Sequence, residues 1–257
     1  TATLGKKNSL IRTVNSVRNI SKDNIKHILV CPSNTYKNLK NIFKDMEILK
    51  EPSHINGIFE SLNWALGTLS KDYKYFAYLN DDDYWLPDMS KLINYAKSSE
   101  KDIIYSKNIF FNPKHELIFE CANFPNTKFF CNLSLCSIPQ FTQQSVLIKI
   151  NTIKKNNFFD TNLPLNADTD LFFRMIANGA SSKYIDVVSS VYSLGPGRLS
   201  SSKLDRKKAY KLFLKKHKGY KRNKFKLFTS VLIFRIYNLP IYLKRLFKIL
   251  LLKFSMS

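Results

Sequence analysis

Four polar residues, Asn80 to Asp83, directly follow the apolar segment 73–79, which has the composition of a buried strand. Ligands of open α/β sheets bind at the carboxyl ends of strands. Three carboxylates at one such end repel each other unless a cation is present. A divalent metal with oxygen ligands, together with a diphosphate, would satisfy them. The alternative is that these acids only precede a helix that begins near Pro87, since carboxylates near a helix N-terminus stabilise it.

A second acidic pair, Asp168 and Asp170, lies in the segment 166–174, where apolar spacing predicts the start of a helix. A carboxylate fixed at the mouth of a site can act as a general base for a hydroxyl. A carboxylate at a helix start can equally cap the first backbone N–H groups. On this segment alone, the pattern favours the cap.

The elements that must position these acids alternate along the chain. Apolar periodicity predicts helices over 9–20, 36–43, 58–69 and 87–98, and strands over 27–31, 46–49, 73–79 and 102–106. This alternation predicts a parallel α/β sheet for the first ~110 residues. Further on, we expect a strand at 145–150, a helix at 168–178 and a strand at 183–188.

Five motifs in one order resemble the family 2 glycosyltransferases of the GT-A fold, and most closely the subgroup that builds bacterial surface polysaccharides. They are Asn56–Asn63, Tyr78–Asp83, Gln143–Val146, Ala167–Leu171 and Gly195–Ser202. The resemblance implies a Rossmann-like, mostly parallel sheet flanked by helices. It places the glycosyltransferase domain at residues 1–202 and implies an inverting, metal-dependent hexosyl- or N-acetylhexosaminyl-transferase.

By that resemblance, Asp83, with Asp81 or Asp82, would hold Mg²⁺ or Mn²⁺ on the diphosphate of the donor. The metal would offset charge that develops on the leaving nucleoside diphosphate. Asp168 would remove the acceptor proton during a single in-line displacement with inversion. Asp170 would orient the catalytic site.

The same resemblance marks further donor-binding candidates. Thr1 and Thr3 match the end of the family's first strand, near the nucleotide, and Asn56 and Asn63 belong to a matching motif. Arg198, in the glycine-bearing loop, could pair with phosphate, although a solvated loop arginine is the alternative. The apolar residues that the family carries before Thr-Ala-Thr are absent, which indicates a fragment or a sheet that lacks one strand. The family's Asp-Gly pair that contacts the base is replaced by Cys31-Pro32.

The charge of the chain is concentrated near its end. The 257 residues contain 41 Lys and Arg against 19 Asp and Glu, a formal charge of +22. Residues 203–257 hold 17 of the basic residues and one acidic residue, Asp205. Their mixture of Lys and Arg with large apolar residues predicts amphipathic helices that lie on an anionic membrane surface. A helical subdomain packed on the first domain is the alternative, and a nucleic-acid partner is not expected because such arms need less aliphatic surface.

Two functions remain open at this point. The first is an inverting glycosyltransferase, peripheral on the cytoplasmic face of the cell membrane, that extends a glycan or lipid-linked acceptor. The second is a non-catalytic membrane- or RNA-binding protein with a degenerate GT-A domain. Four cysteines without a Cys-x-x-Cys pair indicate reduced thiols and no structural zinc site.

Overall fold

The computed structural model describes residues 1–5, 8–20, 25–69, 73–112, 117–194, 202–220 and 223–255. Its strands are β1 (Ile28–Cys31), β2 (Glu47–Lys50), β3 (Tyr75–Phe76), β4 (Tyr84–Trp85), β5 (Ile103–Asn112), β6 (Leu117–Glu120), β7 (Val146–Lys149) and β8 (Ser182–Ser193). Its helices are α1 (Ser9–Arg18), α2 (Ser33–Ile42), α3 (Ile58–Leu69), α4 (Met89–Ser98), α5 (Phe130–Ser134), α6 (Ile150–Lys155), α7 (Ala167–Ala177), α8 (Lys203–Lys216), α9 (Lys224–Tyr237) and α10 (Leu239–Ser255).

The helices and strands predicted for the first 106 residues all have counterparts in the structure. In α1, for example, Leu10, Val14 and Val17 are buried on one face, as expected for apolar residues three and four positions apart. Helix α3 has the predicted bounds. The strand predicted at 73–79 is shorter, since only β3 within it forms a ladder.

The strands form two sheets. A two-stranded parallel sheet contains β1 and β2, and a six-stranded sheet has the order β3-β7-β5-β8-β4, with β6 paired to β5. Among the strand pairs that the structure describes in the larger sheet, only β5 and β8 are parallel, whereas the β3–β7, β5–β7, β5–β6 and β4–β8 pairs are antiparallel.

The prediction of a mostly parallel sheet is therefore wrong, and the sheet is mixed. The cause is the position of β7. Strands β3 and β5 run in the same direction, as the alternating pattern implies, but β7 lies between them and is antiparallel to both. A partner from residues 146–149 cannot be inferred from the local pattern around β3 and β5.

The segment from Tyr75 to Leu79 separates two apolar cores. Phe76 and Tyr78 pack in the core that contains α3 and α7, whereas Tyr75, Ala77 and Leu79 pack on the side of α4. Alternate side chains of an extended segment point to opposite faces. This segment is therefore held from both sides, which fixes where the polar residues after Leu79 emerge.

The first residues of the chain run beside β1. Ala2 forms a parallel bridge with Val30, and the Thr1 amino group donates to Ile28 O at 2.9 Å. An apolar cleft of about 480 Å³ separates this edge from β3.

The last three helices differ in how they pack. Helix α8 buries Ala209 and Phe213, and α9 buries Ser230 and Phe234. Helix α10 instead exposes most of its large apolar residues. Within the described ranges, the structure contains no helix whose length and hydropathy would let it span a bilayer.

Candidate functional site

The Asp83 side chain is buried at the end of the segment that follows β3, where three hydrogen bonds hold it. Its Oδ1 accepts a hydrogen bond from the Ser193 N–H at 2.9 Å. Its Oδ2 accepts from Asn80 Nδ2 at 3.0 Å and from Gln144 Nε2 at 2.6 Å. The side chain has no exposed surface, and burial raises its pKa to about 7. These contacts direct the Asp83 carboxylate into the protein, so the geometry does not favour the role of metal ligand expected for it.

Two residues of α1, Arg12 and Thr13, hold the backbone of the acidic loop. Thr13 Oγ1 donates to Asp83 O at 2.6 Å, and Arg12 NH2 donates to Asp82 O at 3.1 Å. The Arg12 guanidinium also lies 4.3 Å from the ring centroid of Tyr84, a favourable cation–π geometry. Sequence reasoning did not select these residues. Their position in the helix directly after Thr1–Thr3 is the signal that could have identified them.

Asp81 and Asp82 are only partly buried, unlike Asp83. Asp81 Oδ2 accepts from Thr3 Oγ1 at 2.8 Å, and Asp81 O accepts from Ser9 Oγ at 2.8 Å. The fold thus brings Thr3 and Asp81 together from distant positions in the sequence. These two residues were both expected near the donor.

The donor set of this loop fits one kind of metal. Among the residues that the structure describes, no group of three or more His, Cys, Asp and Glu side chains is arranged to hold an ion. Mg²⁺ is usually bound by one or two carboxylates together with substrate phosphates and water. The carboxylates of Asp81 and Asp82 fit a metal that binds together with a diphosphate.

Asp168 lies in the first turn of α7, with its side chain partly exposed. Its Oδ1 accepts from the Thr169 N–H at 2.7 Å. Burial raises the pKa of the carboxyl to about 6, against the effect of this hydrogen bond. A carboxyl with this pKa is mostly ionised at neutral pH and still has appreciable basicity, as a general base requires. The contact to Thr169 also matches the capping interpretation, and one side chain can serve both roles.

Tyr78 connects the two acidic clusters. Its ring is buried, and burial raises the pKa of its hydroxyl, to which the charges of Asp168 and Asp83 add. Tyr78 also packs in the core that contains Ala167, the residue directly before Asp168, and it lies five residues before Asp83 in the sequence. The segment that leads to the acidic loop and the first turn of α7 therefore share one core.

Asp170 is fully buried and surrounded by cationic groups. It accepts from Arg174 Nε at 2.7 Å, Lys216 Nζ at 2.9 Å and His217 Nε2 at 2.8 Å. Burial alone would raise its pKa, but the hydrogen bonds from His217 and Lys216 and the charge of Arg174 lower it below the usual value. The carboxylate is thus ionised and shielded from solvent, so it does not face a substrate directly.

The remaining expected donor-binding residues lie elsewhere. Asn63 is committed to the backbone of Phe159, donating to its carbonyl at 2.8 Å and accepting from its N–H at 3.0 Å. Asn56 is exposed in the loop before α3, and Thr1 Oγ1 lies 3.0 Å from His27 Nε2. No described contact joins Asn56 or Asn63 to the acidic loop. Arg198 and the rest of 195–201 fall outside the described residues.

A family model described as "Glycosyl transferase family 2" matches residues 1–175 of the chain. No curated protein sequence matches the chain.

Several solved structures resemble the fold at low sequence identity. S. aureus TarS 1–349 in complex with UDP-GlcNAc has a TM-score of 0.62 at 12% identity, with 91% of this chain and 69% of TarS 1–349 covered. The longer TarS structure has a TM-score of 0.60 at 11% identity and covers 91% of this chain, which spans only 41% of that protein. The mannosyltransferase PcManGT from Pyrobaculum calidifontis, in complex with GDP-Man and Mn²⁺, has a TM-score of 0.61 at 11% identity, covering 93% of this chain and 70% of PcManGT.

Proposed function

Because the chain belongs to glycosyl transferase family 2, we propose that it transfers a sugar from a nucleotide-sugar donor to an acceptor hydroxyl. The observation that carries this proposal is that the segment leading to the acidic loop and the helix start that holds Asp168 pack in one core, through Tyr78 and Ala167. One cluster provides partly exposed carboxylates that suit a metal–diphosphate complex. The other provides Asp168, a carboxyl with a pKa of about 6. A transfer reaction of this class needs both features in one site.

At the donor end, Asp81 and Asp82 would hold Mg²⁺ or Mn²⁺, with Asp83 as the buried support of the loop. The metal, when bound, offsets the negative charge that develops on the leaving nucleoside diphosphate. Thr3, which donates to Asp81, fixes the orientation of that carboxylate. The complexes of TarS with UDP-GlcNAc and of PcManGT with GDP-Man and Mn²⁺ support a nucleotide-sugar donor and a divalent metal.

At the acceptor end, Asp168 accepts the proton of the attacking hydroxyl as its oxygen bonds to the anomeric carbon. The bond from that carbon to the diphosphate oxygen breaks in the same step, so a single in-line displacement inverts the configuration. The Thr169 N–H holds Asp168 Oδ1 in place. Its other oxygen would accept the proton of the acceptor hydroxyl.

We further propose that the acceptor is a glycan or lipid-linked glycan of surface polysaccharide synthesis, at the cytoplasmic face of the membrane. Support comes from the last two helices. Large apolar side chains on α9 and α10 are exposed, among them Phe225 at 74%, Phe228 at 64% and Phe247 at 63%. Basic residues such as Lys244 and Lys248 lie in the same helices. This combination suits an interface with anionic lipid.

A screen of UDP- and GDP-sugars with Mn²⁺ tests the proposed activity. We expect release of nucleoside diphosphate from at least one donor, slowly to water and faster with a lipid-linked glycan acceptor, and its loss with EDTA. A degenerate, non-catalytic domain would release none from any donor. The anomeric configuration of the product, read by NMR, would separate inversion from retention.

Binding to anionic vesicles tests the membrane surface. Because Phe213 and Phe234 are core residues, we expect a chain ending at Asn238 to stay folded and to bind vesicles less than the full chain. Phe225→Ser with Phe228→Ser should weaken binding at every salt concentration, since burial contributes about 25 cal/mol per Å² and is not screened. The control is Ile42→Ser, which removes an apolar residue 53% exposed on α2. Equal binding by all variants would exclude this surface.

A further inference from the structure

The first helix of the basic region, α8, contacts α7, the helix that carries Asp168, through a buried ion cluster. Lys216, the last residue of α8, and His217, which follows it, both contact the Asp170 carboxylate. Arg174 of α7 completes the cluster from one helical turn further on. His217 is 10% exposed and Arg174 19%. Removing one partner from a buried ion pair leaves an uncompensated charge, which is strongly destabilising.

Aromatic packing fixes the position of His217. Its ring centroid lies 4.1 Å from that of Phe173 and 4.7 Å from that of Phe213. Phe213 of α8 is itself part of the core that contains α7 and Tyr78. Another residue of α8, Tyr210, donates a hydrogen bond from its Oη to Leu135 O at 2.5 Å. Helix α8 is therefore packed into the catalytic domain, although its sequence resembles that of the basic region that follows it.

The same cluster holds the loop before α7. Lys216 Nζ also contacts Asp160 at 2.5 Å, and the Arg174 guanidinium donates to the carbonyl oxygens of Asn156 and Phe158. The loop and the first turn of α7 are thus fixed to the end of α8. Asp168 lies in that turn, two residues from Asp170.

We propose that Lys216 and His217 are positioning residues of the transfer reaction: by compensating and holding Asp170, they set the orientation and the charge environment of Asp168. This inference rests on the proposed function. It extends the catalytic unit beyond residue 202, through α8, and restricts the membrane surface to α9 and α10.

The effect on Asp168 has a defined sign. Burial is the main cause that raises the pKa of Asp168, and the negative charge of Asp170 adds to it. The cations around Asp170 offset this added contribution. Removing a cation should therefore raise the pKa of Asp168, and removing the Asp170 charge should lower it. The charged and titratable groups that contact Asp170 are Arg174 of α7, Lys216 at the end of α8 and His217 directly after it. Tyr78, in the segment after β3, lies near Asp168.

The test compares Lys216→Met with Lys216→Arg and with Asp170→Asn. In Lys216→Met, we expect the acidic limb of the kcat–pH profile to move up by about 0.5–1 pH unit, which lowers kcat near pH 6 by about two- to fivefold. The KM for the donor should not change, because the donor contacts lie at the acidic loop. Lys216→Arg should restore the profile, and Asp170→Asn should move the limb in the opposite direction. His217→Gln, which keeps a hydrogen-bond donor, should have a smaller effect than Lys216→Met.

Asp160→Asn is the matched control, because it removes the other partner of Lys216 and leaves the Asp170 charge compensated. The limb should stay in place. A purely structural role would lower activity in all variants without opposite shifts, and that result would overturn the proposal.

A readout without substrate separates this inference from the proposed function. We expect the carboxyl ¹³C resonance of Asp168, titrated by NMR in the free protein, to show the same shifts for Lys216→Met. An unchanged Asp168 pKa in a folded Lys216→Met variant would contradict the coupling, whatever the enzyme transfers. If the shift appears and no donor is turned over, only the assigned reaction fails.

Discussion

Replacing Asp168 by Asn is expected to lower the rate of sugar transfer by about 10²- to 10⁴-fold at neutral pH, the range typical for loss of a general base. The amide keeps the shape of the side chain, and its carbonyl can still accept from the Thr169 N–H, but it cannot accept the proton of the acceptor hydroxyl. Single-turnover transfer and nucleoside diphosphate binding should be measured together. We expect the first to be lost and the second to be retained.

The pH dependence adds a second check on Asp168. Since burial raises its pKa to about 6, the base is ionised above that pH and protonated below it. Transfer by the wild-type chain should therefore fall as the pH drops below about 6, and this limb should be absent from the residual activity of Asp168→Asn.

Asp205→Asn is a suitable control for Asp168→Asn, because Asp205 is an exposed acid in the first turn of α8. It reports the effect of removing a carboxylate from a helix start. Wild-type transfer in Asp168→Asn would mean that Asp168 serves only as a cap and that the base lies elsewhere.

The second large effect is expected from Asp82→Asn, which should weaken metal-dependent nucleotide binding by at least the 10–100-fold that is typical of losing a partner of a metal ligand. Its fold should be intact, since Asp82 is partly exposed. Titration of UDP and GDP, with and without Mn²⁺, measures this loss. Asp88→Asn controls for charge alone, because Asp88 pairs with Lys91 at an exposed helix start.

Asp83→Asn should mainly reduce stability, whereas Asp82→Asn should mainly reduce metal-dependent nucleotide binding. The amide NH₂ would face the donors that now reach the carboxylate from Asn80, Gln144 or the Ser193 backbone. A buried donor left without an acceptor costs about 1–3 kcal/mol, so the free energy of unfolding should fall. A fully stable Asp83→Asn variant that loses only metal binding would restore Asp83 as the ligand.

Local features of the fold were predictable from the sequence. The spacing of apolar residues in α1 and α3 depends on one face of one helix, and both helices are confirmed. The positions of the acidic loop and of Asp168 were likewise predicted from local patterns, the apolar segment that precedes the loop and the helical spacing that contains Asp168. These are relations between neighbours in sequence.

The remaining features depend on contacts between distant residues. The sequences of β3 and β5 do not indicate that β7 lies between them in antiparallel orientation. The residue type alone does not tell which of three consecutive aspartates is buried. The hydrogen bonds that Gln144 and Ser193 donate to Asp83 distinguish it from Asp81 and Asp82. Asn63 belongs to a recognisable motif, yet the backbone of Phe159 engages its amide. The basic composition of α8 gave no indication that Lys216 and His217 contact a buried carboxylate.

A crystal structure of the chain with Mn²⁺ and a nucleoside diphosphate, with anomalous scattering to locate the metal, tests whether the acidic loop and Asp168 form one donor site. We expect a single Mn²⁺ bound by the carboxylates of Asp81 and Asp82, with metal–oxygen distances of about the 2.1 Å usual for Mg²⁺. The diphosphate should lie between that metal and Asp168. A metal bound by other residues, or a nucleotide bound away from Tyr78 and Asp168, would contradict the proposed donor site.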